Sequence, residues 1–164
     1  MHSDDLYASS SVVEDVMKQF EVDDSLDGVY GDLIYTPKSD TSKVLRYWKS
    51  KDFDSSLLKQ GWMPAHPTFI LKKEVYEKYG NFDLAFKIAG DYDFMLRVLS
   101  DGINVKYIPQ VLYKMRVGGE SNKSLKNIIR KSREDLLALK NNGVGGVFTL
   151  LIKNFSKIGQ FLRK

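Results

Sequence analysis

Gly90-Asp91-Tyr92-Asp93-Phe94-Met95-Leu96-Arg97-Val98-Leu99, followed by Gly102 and Asn104-Val105-Lys106-Tyr107-Ile108, is the stretch that decides the fold class. Tyr92, Met95, Leu96 and Leu99 fall on one face of a 3.6-residue period, and Gly102 supplies a helix stop. Beyond it, 104–108 and 111–117 alternate as strands do, with Pro109 between them. A helix that feeds directly into strands belongs to an α/β pattern.

The flanking segments extend that pattern. After Pro64 and Pro67, Thr68-Phe69-Ile70-Leu71 predicts a short buried strand, and Lys73–Tyr79 a brief helix stopped by Gly80. Val29, Tyr30, Leu33, Ile34 and Tyr35 predict a strand ended by Pro37. Val12, Val13, Val16, Met17 and Phe20 predict an amphipathic helix broken by Asp23-Asp24-Ser25. There, Ser11 and Glu14 have the spacing of a capping box. Residues 38–63 read as a loop with a short helix near 45–48 or 55–60. A long polar helix is expected over 121–140, ended by Asn141-Asn142-Gly143, and an amphipathic segment from 144 onward. Too few strands alternate with helices for a complete doubly wound sheet, so a partial mixed sheet flanked by helices is expected.

The totals narrow the class. With 164 residues, the chain has the length of one domain and can bury a core unaided. Cysteine is absent, which excludes disulfides and thiolate metal sites and favours a reducing, cytoplasmic setting. No stretch approaches the roughly 18–20 apolar residues of a membrane span, and Met1-His2-Ser3-Asp4-Asp5 does not resemble a signal peptide. The net charge of +4 is unevenly spread. Residues 123–164 hold ten Lys or Arg against Glu134 and Asp135, leaving a mildly acidic body with a basic tail. Such a tail suits an anionic surface, phosphate or lipid headgroups.

Several positions have chemistry to offer. Adjacent Asp4 and Asp5 can give oxygen ligands to Mg²⁺ or Mn²⁺, although a solvated pair would look the same. Asp91, at the head of a predicted helix, is held ionised by the helix dipole and suits either a proton acceptor or a helix cap. Asp93 is better explained as a partner of Arg97, four residues on. His66, between Pro64 and Pro67, fits either a substrate contact or a structural turn. Arg116-Val117-Gly118-Gly119 reads as a phosphate-binding lid or an ordinary strand-to-helix turn.

Taken in order, Ser3-Asp4-Asp5, Val29-Tyr30-Gly31-Asp32, His66-Pro67-Thr68-Phe69, Gly80-Asn81-Phe82-Asp83, Ala89-Gly90-Asp91-Tyr92-Asp93 and Met115-Arg116-Val117-Gly118-Gly119 resemble family 2 glycosyltransferases of the GT-A fold. The likeness spans most of 1–142, expected as the C-terminal, acceptor-side part of such a domain, with 143–164 a separate basic amphipathic helix. It implies sugar transfer from a nucleotide-diphosphate sugar to an acceptor hydroxyl with inversion. By the same likeness Asp91 is the catalytic base, and Asp4 and Asp5 bind a divalent cation, with Asp5 the preferred ligand. His66, Arg116, Gly118 and Gly119 would contact substrate. A saccharide or lipid-linked acceptor is implied, in cell-surface polysaccharide or glycolipid synthesis.

The family's strand–helix units for the nucleotide precede the acid pair, and here only Met1 and His2 precede it. The isolated polypeptide is therefore expected to be an incomplete, weakly active enzyme. The alternative is a non-catalytic remnant or binding module that needs a partner chain. In the tail, Val147, Phe148, Leu151, Ile152, Phe155, Ile158 and Leu162 recur at helical spacing among Lys153, Lys157, Arg163 and Lys164. That pattern fits a helix lying on the inner membrane face or one packed on the protein's own sheet. Nothing interleaves aromatic and basic residues as a nucleic-acid surface would.

Overall fold

The computed structural model describes residues 5–117 and 125–156, so Asp4, Gly118 and Gly119 lie outside the described residues. The fold is mixed α/β, a mixed sheet flanked by helices. Its spine is β2 (Gly28–Pro37), where Val29, Tyr30, Leu33 and Ile34 are all buried. A strand apolar on consecutive positions must be covered on both faces.

Strand β5 (Val105–Val117) runs parallel to β2 along one edge. On the other edge β3 (Arg46–Trp48) and β4 (Ile70–Leu71) pair antiparallel with β2 in succession. Strand β1 (Asp5–Tyr7) lies antiparallel on the outer side of β5, with Asp5 opposite Met115.

Helix α1 (Val12–Val22) covers Val29, Leu33, Ile108 and Leu112 with Val12 and Val16. A second core gathers around α4 (Gly90–Ser100), whose Phe94, Leu96, Val98 and Leu99 are enclosed. It is closed by α2 (Ser56–Lys59), α3 (Lys73–Tyr79), and α5 (Leu125–Asn141) through Leu58, Val75, Ala138 and Leu139. Each such side chain stabilises the fold by roughly 1.5–3 kcal/mol on burial. The last described element is α6 (Val147–Ser156).

Four expectations about elements need correction. The two strands predicted around Pro109 are one, β5, whose register against β2 shifts between Tyr107 and Val111, so the proline sits in an irregularity that needs no ladder N–H. Of the two places offered for a short helix, 55–60 holds it as α2, whereas 46–48 is a strand, because Tyr47 and Trp48 pair with Ile34 and Leu33. The strand expected over Thr68–Leu71 is confined to Ile70–Leu71, because Thr68 ends a 3-10 turn over His66–Thr68 in which Pro67 fixes its own φ and the Thr68 hydroxyl turns back to the Ala65 carbonyl at 2.7 Å. No capping box forms at Ser11, whose hydroxyl donates to Asp15 at 2.9 Å.

Asp32 explains how the ill-read 38–63 segment is fixed. Buried in β2, it accepts the Tyr47 hydroxyl at 2.6 Å, the Ser50 N–H at 2.7 Å and the Tyr107 hydroxyl at 2.8 Å. A buried carboxylate needs such donors to offset its lost hydration.

Candidate active site

The site is assembled at the N-terminal end of α4. Just before the helix, Glu134 of α5 accepts the N–H of Ile88 at 2.7 Å and of Ala89 at 2.9 Å. Burial opposes ionisation of Glu134, but these backbone donors outweigh it and hold the carboxyl below its ordinary range. A side chain from another helix thus fixes the turn that α4 starts from. Asp93 is structural, as expected: it pairs with Arg97 at 3.2 Å and accepts the Asn142 amide at 3.1 Å.

Asp91 stands in the first turn of α4. Its Oδ1 accepts the Tyr92 N–H at 2.8 Å, and its Oδ2 lies 3.2 Å from His66 Nδ1. Both side chains are about one-third exposed, 34% and 33%. His66 is brought there by the 3-10 turn, whose Thr68 hydroxyl also accepts the Gly31 N–H at 3.3 Å and so ties the turn to β2. The two residues are 25 positions apart in sequence. Only the packing of α4 on this turn makes them neighbours.

Asp91 and His66 open on a cleft of about 450 Å³. Phe69, Tyr76, Phe82, Phe94 and Tyr113 line it as well, giving aromatic walls around one carboxylate and one imidazole. That is the volume and lining of a small-molecule site, where a few polar groups fix orientation. A second recess of about 180 Å³ lies on the other side of Asp91, lined by Trp48, Tyr92, Lys131, Asp135 and Lys153.

Asp5 is 5% exposed at the start of β1. Tyr113, which lines the cleft with Asp91, is pushed well above the usual phenol range by burial, then by its hydrogen bond to Tyr7 and that residue's charge, with the Asp5 charge adding. Asp5 is thus within electrostatic reach of a residue shared with the cleft. Arg116 is half-exposed near the end of β5, opposite Thr36, and among the described residues it is not part of the cleft lining. The structure therefore brings Asp91 and His66 together on one cleft, whose lining includes neither Asp5 nor Arg116.

Four contributors carry no role in the sequence pattern: Glu134, Asp135, Lys153 and Tyr113. Glu134 and Asp135 are the two acids of the basic tail, a signal present in the charge count. Asp135 is 1% exposed and sits 2.6 Å from Lys131 and 3.0 Å from Lys153. Lys153, one of the basic residues among the apolar stripe, is 2% exposed, with its ammonium 3.0 Å from the centre of the Tyr92 ring. Tyr113 carried no local signal. No family model matches the chain and no curated protein matches it, so geometry alone speaks for the site.

Proposed function

We propose that the chain serves transfer of a sugar from a nucleotide-diphosphate sugar to an acceptor hydroxyl, with Asp91 as the general base. The observation that carries this reading is the Asp91 carboxylate in the first turn of α4, beside His66 and facing an aromatic-walled cleft. Its Oδ1 is held by the Tyr92 N–H of the same turn, and the cleft suits the flat, apolar faces of a saccharide. In the step, the acceptor oxygen forms a bond to the anomeric carbon as the bond to the diphosphate oxygen breaks. The hydroxyl proton passes to Asp91, and single displacement inverts the anomeric centre. His66, with Nδ1 3.2 Å from Asp91 Oδ2, stands where it can orient the carboxylate.

Among the described residues no group of three His, Cys, Asp or Glu could hold a metal ion by itself. Mg²⁺, however, is commonly held by one or two carboxylates together with substrate phosphates. Asp5, with Asp4 from outside the described residues, has the hard oxygen donors that suit Mg²⁺ or Mn²⁺. Such an ion would neutralise charge on the departing diphosphate. Saccharide or lipid-linked acceptors of polysaccharide or glycolipid synthesis are the substrates this reading implies.

The test is turnover of a panel of nucleotide sugars with Mn²⁺ and saccharide acceptors, wild type against Asp91→Asn. Loss of a general base lowers the rate about 10²–10⁴-fold. Equal turnover in the two proteins refutes the role of Asp91. A second reading, a binding module completed by a partner chain, is favoured by β1, whose outer edge carries no strand among the described residues and exposes Leu6 and Tyr7. On that second reading the chain alone shows no turnover, and a partner that adds a strand there restores it.

A further inference from the structure

Helix α6 is turned against its own amphipathicity. The residues it buries include Thr149 and Lys153, while Val147, Phe148, Leu151 and Phe155 are exposed by 59%, 76%, 48% and 68%. At 3.6 residues per turn those four span an arc of roughly 100°, one continuous apolar stripe. The orientation is fixed from inside. Lys153 pairs with Asp135 and covers the Tyr92 ring, and α6 approaches Gly61 so closely that a Cβ there would meet Lys153 Cβ at 2.5 Å. Rotating the stripe inward would expel a buried ion pair, so the protein's own core does not cover it.

Helix α5, which packs against α6, carries a surface of the same kind. It exposes Leu125, Ile128, Ile129 and Leu137 beside Lys126, Arg130, Arg133 and Lys140. Both acids of this region are used internally, Glu134 on the Ile88 and Ala89 N–H groups and Asp135 on Lys131 and Lys153. Over the described residues 125–156 the one partly exposed acid is Glu134, set against the exposed Lys126, Arg130, Arg133 and Lys140, so the charge presented to solvent is predominantly positive. The sequence continues in the same vein with Lys157, Ile158, Phe161, Leu162, Arg163 and Lys164.

The chemistry selects the occupant. A second copy would set cation against cation, a repulsive pairing. An anionic headgroup layer offers opposite charge at the level of the Lys and Arg side chains and an apolar boundary for the aromatic stripe. No helix among the described residues is long and apolar enough to cross a membrane, so the contact is one of lying on the surface. We propose that the outer faces of α5 and α6 dock on the anionic face of a lipid bilayer, Phe148 and Phe155 entering the headgroup boundary. The contact does not depend on the transferase reading, and its test uses no sugar substrate.

Vesicle flotation decides it, comparing phosphatidylcholine vesicles with others that also contain phosphatidylglycerol. Binding is expected only to the anionic vesicles and should weaken as salt screens the charges. The variant Phe148→Ser with Phe155→Ser should lower partitioning about tenfold for each ring partly withdrawn from lipid. Its thermal midpoint should be unchanged, because both rings are already exposed. Replacing Arg130 and Arg133 by Ala should cost roughly fivefold each. Failure to float with anionic vesicles at low salt overturns the proposal, and so does undiminished binding by the double Phe variant. Sedimentation equilibrium showing a dimer that this variant dissolves would assign the stripe to a second copy instead.

Discussion

Asp135→Asn keeps the volume of the side chain but removes the charge that holds Lys153. In the native fold the Lys153 ammonium lies 3.0 Å from Asp135 Oδ1, and both side chains are 2% exposed. The contact is close yet poorly directed for a hydrogen bond, so it acts chiefly as an ion pair. Breaking a buried pair from one side costs about 3–5 kcal/mol, since the other charge stays in a dry site. The Tyr92 ring, 3.0 Å from the ammonium, offsets about 1 kcal/mol of that. Lys131 is 43% exposed and returns to water at little cost. The expected loss is therefore about 2–4 kcal/mol, most of it set by Lys153. For a domain of this size that lowers Tm by roughly 4–16 °C. Urea unfolding with a thermal scan measures it, and the decisive variant is Asp135→Asn combined with Lys153→Met. With no buried charge left, the double variant should recover at least half of the loss. A single-variant cost below about 0.5 kcal/mol, or a double variant as unstable as the sum of the two, would refute a buried pair as the anchor of α6.

Tyr47 supplies a pH prediction. Burial, then its hydrogen bond to Asp32 and the charge of that carboxylate, raise its pKa from 10.0 to about 12. A group with a raised folded pKa contributes stability in full below its unfolded pKa, so stability should fall as pH climbs from about 10 through about 12. Ultraviolet titration should find the Tyr47 phenol ionising late in wild type and earlier in Asp32→Asn; identical titrations would contradict the assigned cause. Gly61→Ala should cost about 2–4 kcal/mol, combining a φ of +69° with a Cβ 2.5 Å from Lys153 Cβ and 2.9 Å from the Thr149 carbonyl. Gly143→Ala, at φ +65° with nothing within 4 Å, should cost about 1 kcal/mol in the same denaturation assay, and equal losses would remove the packing account of α6.

Local pattern carried much of the architecture. The helical spacing of Tyr92, Met95, Leu96 and Leu99, the buried run of β2 and the stop at Gly80 are each statements about a residue and its near neighbours, and the fold honours them. Asp91 at a helix head and Asp93 paired with Arg97 were legible for the same reason. Within 38–63 the helix at 56–59 was legible but the strand at 46–48 was not, because it exists only through Leu33, Ile34 and the Asp32 carboxylate, distant in sequence and absent from any local period.

The sequence by itself determined the α/β class, the order of most elements and the position of the Asp91 carboxylate, all consequences of spacing within a few residues. Tertiary structure alone decided that His66 stands 3.2 Å from Asp91, that Glu134 fixes the turn before α4, and that α6 presents its aromatic stripe outward while Lys153 is buried. A helical period tells which residues share a face, but not which face goes inward. That choice belongs to partners such as Asp135 and Gly61, which meet α6 only once the chain has folded.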